Sequence, residues 1–183
     1  MVEDGCLNLK FLFKKNCRKK RQDEYFLTFN KPNTTHKTVP LTPATQSNRE
    51  ISPTRQILFG EDDPDEEEFL KEIFSALDPN LTLLFYNSGK KLLASIEKIP
   101  DEDLPELIVL DYNMPELNGA EILKELKRNQ RYESIPKIIW STSGSEHYKN
   151  LCLDSGAQEY VIKPSSMGEL ETVARHLLSY CST

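Results

Sequence analysis

The sequence predicts an α/β fold in which five parallel strands form a sheet that five helices cover on both faces. The first observation is that, from Gln56 onward, short apolar runs alternate with longer segments that have the apolar period of a helix. Strands that alternate with helices in this way pair in parallel. The second is compositional: the 183 residues include only 7 glycines, and no apolar run approaches the roughly 20 residues of a membrane-spanning helix.

The first two strand–helix units follow from local signals. Apolar runs predict strands over residues 57–59 and 81–86. The first helix is predicted over residues 64–77, with Asp63 as its N-cap, Pro64 at its first position and Glu66 where a capping box has its acidic residue. The second helix is predicted over residues 88–99, with an apolar face of Leu92, Leu93 and Ile96.

The remaining three units repeat the pattern. Strands are predicted over residues 107–110, 137–141 and 160–162. Helices are predicted over residues 119–128, 146–154 and 167–179, the fourth helix ending at Gly156. Ligands of such sheets bind beyond the carboxyl ends of the strands, so the residues that follow each strand are the candidates for chemistry.

Charge divides the chain into two parts. Residues 1–55 hold 11 lysines and arginines against 5 acidic residues, whereas residues 56–183 hold 12 against 24. Proline and polar residues after the basic run Lys14–Arg21 predict a disordered, flexible basic arm over residues 1–55 and a folded domain over 56–183. The basic run is either a solvated tail or a contact for anionic lipid or nucleic acid, whereas the acidic domain itself is not expected to bind nucleic acid.

The cellular location of the protein is predicted from the start of the chain and from its cysteines. The start of the chain is acidic and its apolar stretch is interrupted by Lys10, which argues against a signal peptide. The 4 cysteines form no C-x-x-C pair. We therefore expect reduced thiols in a cytoplasmic protein without a membrane span.

Polar residues follow four of the predicted strands. Glu61, Asp62 and Asp63 come after the first strand and Asp111 after the third, while Ser141 closes the fourth and Lys163 follows the fifth. Carboxylates brought together at one sheet edge repel one another unless a cation intervenes. Hard oxygen ligands with an incomplete protein shell suit Mg²⁺, so the sequence predicts a magnesium site there.

Four runs carry a family resemblance, and they occur in the family's order. ILFGEDDPD (57–65), LIVLDYNMPELNG (107–119), IIWSTSG (138–144) and YVIKP (160–164) resemble the receiver domain of two-component response regulators, whose fold is the flavodoxin-like, CheY-like sheet. The long loops before Leu107 and before Pro136 are similar to those of the small receivers associated with bacterial phytochromes.

The resemblance implies a role for each matching residue. Asp111 matches the phosphorylated aspartate, and Mg²⁺ would be held by Glu61, Asp62, Asp111 and the backbone carbonyl of Asn113. Ser141 and Lys163 match the conserved hydroxyl and lysine, and Tyr160 matches the aromatic switch position. Gly119 fits the turn after the phosphorylation loop, where a side chain would crowd the backbone.

Two residues depart from the family pattern. Gly60 stands where a β-branched residue is usual, which predicts a looser end of the first strand. Thr142 stands where a smaller residue is common, and its bulk is expected to slow phosphoryl transfer or to block some donors.

The implied function is that of a single-domain response regulator and not of an enzyme that turns over a substrate. It would take a phosphoryl group from a sensor histidine kinase or a histidine phosphotransfer protein. No output domain is expected, so the signal would pass to a protein that binds the fourth helix, fifth strand and fifth helix.

Two alternatives stay open at this point. One is a phosphohydrolase with an aspartate nucleophile, which needs a second Asp as general acid at the position that Asn113 occupies. The other is a pseudo-receiver that is never phosphorylated, against which the acidic pair, Asp111 and Lys163 argue.

Overall fold

The computed structural model describes residues 55–181. The strands are β1 (Gln56–Gly60), β2 (Thr82–Tyr86), β3 (Leu107–Asp111), β4 (Lys137–Ser141) and β5 (Glu159–Ile162). The α-helices are α1 (Pro64–Leu77), α2 (Gly89–Ile96), α3 (Gly119–Lys127), α4 (Glu146–Ser155) and α5 (Met167–Leu178). The strands form one sheet in the order β2-β1-β3-β4-β5, with every neighbouring pair parallel. The predicted fold class is confirmed.

The sheet is buried on both faces, as its continuous apolar strands require. β3 and β4 are buried along their whole length. One face of the sheet contributes Leu58, Ile108, Leu110 and Ile139 to a cluster that includes the apolar side chains of α2, α3 and α4. The apolar interior fixes where each strand ends, and so it fixes the positions of the polar residues that follow.

The start of α1 agrees with its predicted cap, but not with the predicted capping box. The carboxylate of Asp63 accepts a hydrogen bond from the backbone N–H of Asp65 at 3.0 Å. Glu66, the residue expected to complete a capping box, instead extends to the ammonium of Lys163. The Lys163 ammonium is charged, so its hydrogen bond to this carboxylate is stronger than one from a backbone N–H.

The second helix was predicted to run to Ile99 and ends at Ile96. The guanidinium of Arg131 donates hydrogen bonds to the carbonyls of Ile96 and Ile99 and to the carboxylate of Asp101. These hydrogen bonds satisfy carbonyls at the end of α2. Without them, those carbonyls would need donors from a further helical turn or from water.

Several expectations lie outside the described residues, among them the basic arm apart from Arg55, and the thiols of Cys6 and Cys17. Cys152 and Cys181 are free and buried. Within residues 55–181, no helix combines the length and the apolar character that crossing a bilayer would take.

Candidate functional site

Three carboxylates meet where β1 and β3 end. Glu61 and Asp62 follow β1 and Asp111 closes β3, and one oxygen from each lies within 4.8 Å of the others. Glu61 and Asp111 are 2% and 8% exposed, whereas Asp62 is exposed to solvent. The predicted acidic cluster is therefore assembled, with two of its members shielded from water.

Lys163 enters this cluster from the end of β5. Its ammonium lies 2.9 Å from Asp111 Oδ2, 2.9 Å from Glu61 Oε2 and 2.6 Å from Glu66 Oε2. The Lys163 side chain is only 5% exposed. An ammonium has three N–H donors, and each of them here has a carboxylate to bind.

The pKa values of Glu61 and Lys163 are both raised, but for different reasons. Burial, together with the nearby Glu66 and Asp111, raises the pKa of Glu61 to about 8 even though Lys163 lowers it. Burial works to lower the pKa of Lys163, but the charges of Glu61, Asp111 and Glu66 outweigh it and raise that pKa. The cluster thus holds more negative charge than one ammonium offsets.

The donor set fits a hard divalent cation. Glu61, Asp62 and Asp111 offer carboxylate oxygens, which are the ligands of Mg²⁺, Mn²⁺ and Ca²⁺, and no soft sulfur or imidazole donor belongs to the group. An added cation would relieve the repulsion among these three carboxylates.

The loop after β3 holds the carboxylate of Asp111 in place. Asp111 Oδ1 accepts a hydrogen bond from the backbone N–H of Asn113 at 3.0 Å. Gly119 closes the loop by donating its N–H to the carbonyl of Tyr112 at 3.0 Å. A Cβ on Gly119 would lie 2.8 Å from Ile139 Cδ1 and 3.0 Å from the Asp111 carbonyl oxygen, which confirms that a side chain would crowd the backbone here.

Ser141 and Tyr160 both bind the backbone of Ser143. The Ser141 hydroxyl, which is fully buried, accepts a hydrogen bond from Ser143 N at 3.2 Å. The Tyr160 hydroxyl donates to the Ser143 carbonyl at 2.8 Å. Since Tyr160 is 9% exposed, its ring already lies inside the fold. The switch role stays a prediction, and Ser143 is the residue through which the two side chains are connected.

The expected looseness at Gly60 is wrong. A Cβ there would lie 3.0 Å from Met114 Sδ, 3.1 Å from Leu92 Cδ1 and 3.2 Å from Leu110 Cδ2, so the end of β1 is closely packed. The three neighbouring side chains occupy the space that a β-branched residue would fill. Thr142 is exposed to solvent, and its effect on phosphoryl transfer stays a prediction.

Trp140 lies beside Asp111 in the sheet. The two residues are register partners in the β3–β4 pair, and Trp140 is 3% exposed. Its indole N–H has no hydrogen-bond acceptor among the described residues. Trp140 is therefore a core residue next to the site.

Sequence reasoning missed two features of the site. The contact of Glu66 with Lys163 joins residues 97 positions apart, and the local signal at Glu66 pointed to a helix cap instead. The ring of Tyr112 packs against Tyr148 of α4 with a centroid distance of 4.8 Å. The position of Tyr112 directly after Asp111 is the signal from which its closeness to the site could have been inferred.

Comparison with known families agrees with this geometry. The family model for the response regulator receiver domain matches residues 57–175. The chain belongs to this family. Receiver domains are signalling domains of two-component systems, so the predicted family and class of function are confirmed.

Relatives and solved structures agree with the assignment. The chain is 33% identical over 92 residues to the two-component response regulator ORR5 of Oryza sativa, a match that covers 50% of this chain and 66% of ORR5. Other plant relatives are matched over less of their length, as with 48% of ARR17 from Arabidopsis thaliana.

The structural likeness shows the receiver fold. The phosphorylated cyanobacterial phytochrome response regulator RcpA superposes with a TM-score of 0.63 at 22% identity, over 69% of this chain and 93% of RcpA. The receiver domain of the Pseudomonas aeruginosa kinase PA1611, solved with magnesium in its active-site cleft, gives 0.56 at 20% identity over 68% of this chain and 98% of that one. At these identities the phytochrome-associated subtype stays a prediction.

Proposed function

We propose that this receiver domain accepts a phosphoryl group on Asp111 from a phosphohistidine of a sensor histidine kinase or a histidine phosphotransfer protein. The observation that carries the proposal is the placement of Asp111. Its carboxylate is nearly buried at the sheet edge, and its Oδ2 lies 2.9 Å from the ammonium of Lys163. A fixed positive charge beside a shielded nucleophile is what phosphoryl transfer requires, because positioning and electrostatics supply most of its catalysis.

The transfer is a substitution at phosphorus. A carboxylate oxygen of Asp111 forms the new bond to phosphorus while the bond from phosphorus to the donor's histidine nitrogen breaks. The electron pair of that bond leaves with the nitrogen. The nitrogen then takes a proton from solvent, so the donor histidine becomes a neutral imidazole. The ammonium of Lys163 stabilises negative charge on a phosphoryl oxygen, and the Ser141 hydroxyl donates to another.

Magnesium is part of the proposal. The side chains of Glu61, Asp62 and Asp111 and the backbone carbonyl of Asn113 would hold it, which the clustered oxygens within 4.8 Å support. When bound, Mg²⁺ would offset negative charge on the phosphoryl oxygens.

The output surface is proposed on α4, β5 and α5. Large apolar side chains that are exposed among the described residues all lie on α4 and β5: Tyr148, Leu153 and Ile162, which are 39%, 37% and 55% exposed. Of the three proposed elements, α4 and β5 are therefore the ones that expose large apolar side chains, which can contribute to binding another protein. The cytoplasmic location and the assignment of residues 1–55 as a flexible arm belong to this proposal as well.

The test uses the full chain with acetyl phosphate and Mg²⁺, followed by intact mass spectrometry. We expect the wild type to gain one phosphoryl group and Asp111→Asn to gain none. Omitting Mg²⁺ should slow the gain markedly. A phosphorylated Asp111→Asn variant would contradict the assignment, and steady turnover of a generic phosphate ester would instead favour a phosphohydrolase.

A further inference from the structure

Glu66 is an acidic residue of the site that the family resemblance does not account for. It lies in the first turn of α1 and outside the group of carboxylates that can hold a cation, which is Glu61, Asp62 and Asp111. Its Oε2 is 2.6 Å from the ammonium of Lys163, the shortest of the three carboxylate contacts to that group. The Glu66 side chain is 27% exposed, so water screens this pair only in part.

Given the proposed function, the three carboxylates around Lys163 do not have the same task during the reaction. Asp111 forms a bond to phosphorus, and its oxygens then no longer carry a full charge. Glu61 belongs to the donors for a divalent cation, which competes with Lys163 for the same carboxylate. Neither phosphorylation of Asp111 nor cation binding at Glu61 removes Glu66 as a partner of Lys163.

A lysine side chain needs such a partner to stay in one position. Its four-carbon stem is flexible, and holding it in one arrangement costs rotamer entropy. In the described structure this cost is offset by three charge-assisted hydrogen bonds. With Asp111 phosphorylated and Glu61 bound to a cation, Glu66 would supply the remaining fixed acceptor.

We propose that Glu66 is a positioning residue, which holds the ammonium of Lys163 where it meets the phosphoryl group on Asp111. Its role is to accept a hydrogen bond, so an acceptor of the same shape without charge keeps most of it. Simple electrostatics predicts something different: removing a negative charge beside the site would speed the approach of an anionic donor, whatever replaces the glutamate.

The experiment compares Glu66→Ala with Glu66→Gln in the full chain. Glu66→Ala should lower the rate constant for phosphorylation by acetyl phosphate by about tenfold or more, since a misplaced catalytic group costs that much. Glu66→Gln keeps an acceptor oxygen and should stay within about threefold of the wild type. Glu72→Ala, which removes the same charge from an exposed position on α1, is the matched control and should change little. Circular dichroism establishes that each variant folds.

A second measurement needs no phosphoryl donor. In the wild type, the ammonium hydrogens of Lys163 should give an observable ¹H–¹⁵N NMR signal, because bound hydrogens exchange slowly with water. The signal should persist in Glu66→Gln and broaden or vanish in Glu66→Ala. Equal rates and equal signals in Glu66→Ala and the wild type would overturn the proposal, and so would Ala and Gln variants that are faster to the same degree. A wild type that gains no phosphoryl group contradicts the proposed function instead, and the ammonium signal still decides whether Glu66 holds Lys163.

Discussion

At the scale of single residues, Gly119 shows how closely the loop after β3 is packed. The nearest atoms to a Cβ at this position are a side-chain carbon of Ile139 and the carbonyl oxygen of Asp111 itself. Backbone atoms cannot move aside as the end of a flexible side chain can. A substitution here therefore acts directly on the residue that we propose as phosphoacceptor.

We predict that Gly119→Ala lowers the free energy of unfolding by about 1–3 kcal/mol, the usual cost of overpacking. Gly168 in α5 is the matched control, because a Cβ there meets no atom within 4 Å. Gly168→Ala should be neutral or stabilise by up to about 1 kcal/mol, since alanine restricts the unfolded chain. Chemical denaturation followed by circular dichroism measures both. A Gly119→Ala variant as stable as the wild type would show that the loop yields without cost.

The residues of the site differ in how far their positions and contacts could be predicted from the sequence. Asp111, Glu61, Asp62 and Lys163 were predictable, because the strand that precedes each of them has a local apolar signal. The partner of Glu66 was not, because Lys163 joins it only after four further strands have assembled. Local reasoning assigned Glu66 to the nearest donors, those of its own helix start.

At the scale of elements, the order of strands and helices followed from periodicity, and their ends were less predictable. The first helix was correct at both ends, since Asp63 and Pro64 mark its start. The second was predicted to end three residues too late, because the guanidinium that binds carbonyls at its end belongs to Arg131, a residue 35 positions from Ile96. No local pattern indicates such a partner.

The segment between β4 and α4 connects the site to the proposed output surface. Ser141 accepts a hydrogen bond from the N–H of Ser143, and Tyr160 of β5 donates to the carbonyl of the same residue. If Ser141 turns to donate to a phosphoryl oxygen, it changes the surroundings of Ser143, and the bond to Tyr160 transmits the change to β5.

Two substitutions test this connection. Ser141→Ala and Tyr160→Phe should each bind beryllofluoride at Asp111 but show much smaller NMR shift changes over residues 145–165 than the wild type. The bond removed in Tyr160→Phe is worth about 1 kcal/mol net, which is enough to change a two-state equilibrium about fivefold. Tyr180→Phe removes a hydroxyl whose partner is Glu159 and should leave the response intact. Full responses in both test variants would exclude this route.

At the scale of the whole molecule, cation binding at the acidic cluster would be coupled to folding. Glu61, Asp62 and Asp111 bring their charges together only in the folded chain, and the unfolded chain spreads them apart. A ligand that binds the folded state alone stabilises it by mass action.

We therefore predict that Mg²⁺ raises the unfolding midpoint of the wild type by several degrees, through about 2.7 kcal/mol at a hundred times its dissociation constant. Asp62→Asn should lose most of this gain. Asp62→Asn removes one of three repelling charges at an exposed position. This variant should therefore be at least as stable as the wild type when a chelator has removed divalent cations. Calorimetry at matched ionic strength measures both, and an equal gain in the two proteins would contradict the assignment of Asp62 as a ligand.

Trp140 gives this protein an optical probe of its own. It is the single tryptophan of the chain, and it sits across the β3–β4 ladder from Asp111. A buried indole changes its fluorescence when the electric field around it changes, and a charged group added to Asp111 alters that field at close range. We therefore expect the emission of the unlabelled, unsubstituted chain to change when Asp111 is phosphorylated, and a stopped-flow trace would follow that change in real time.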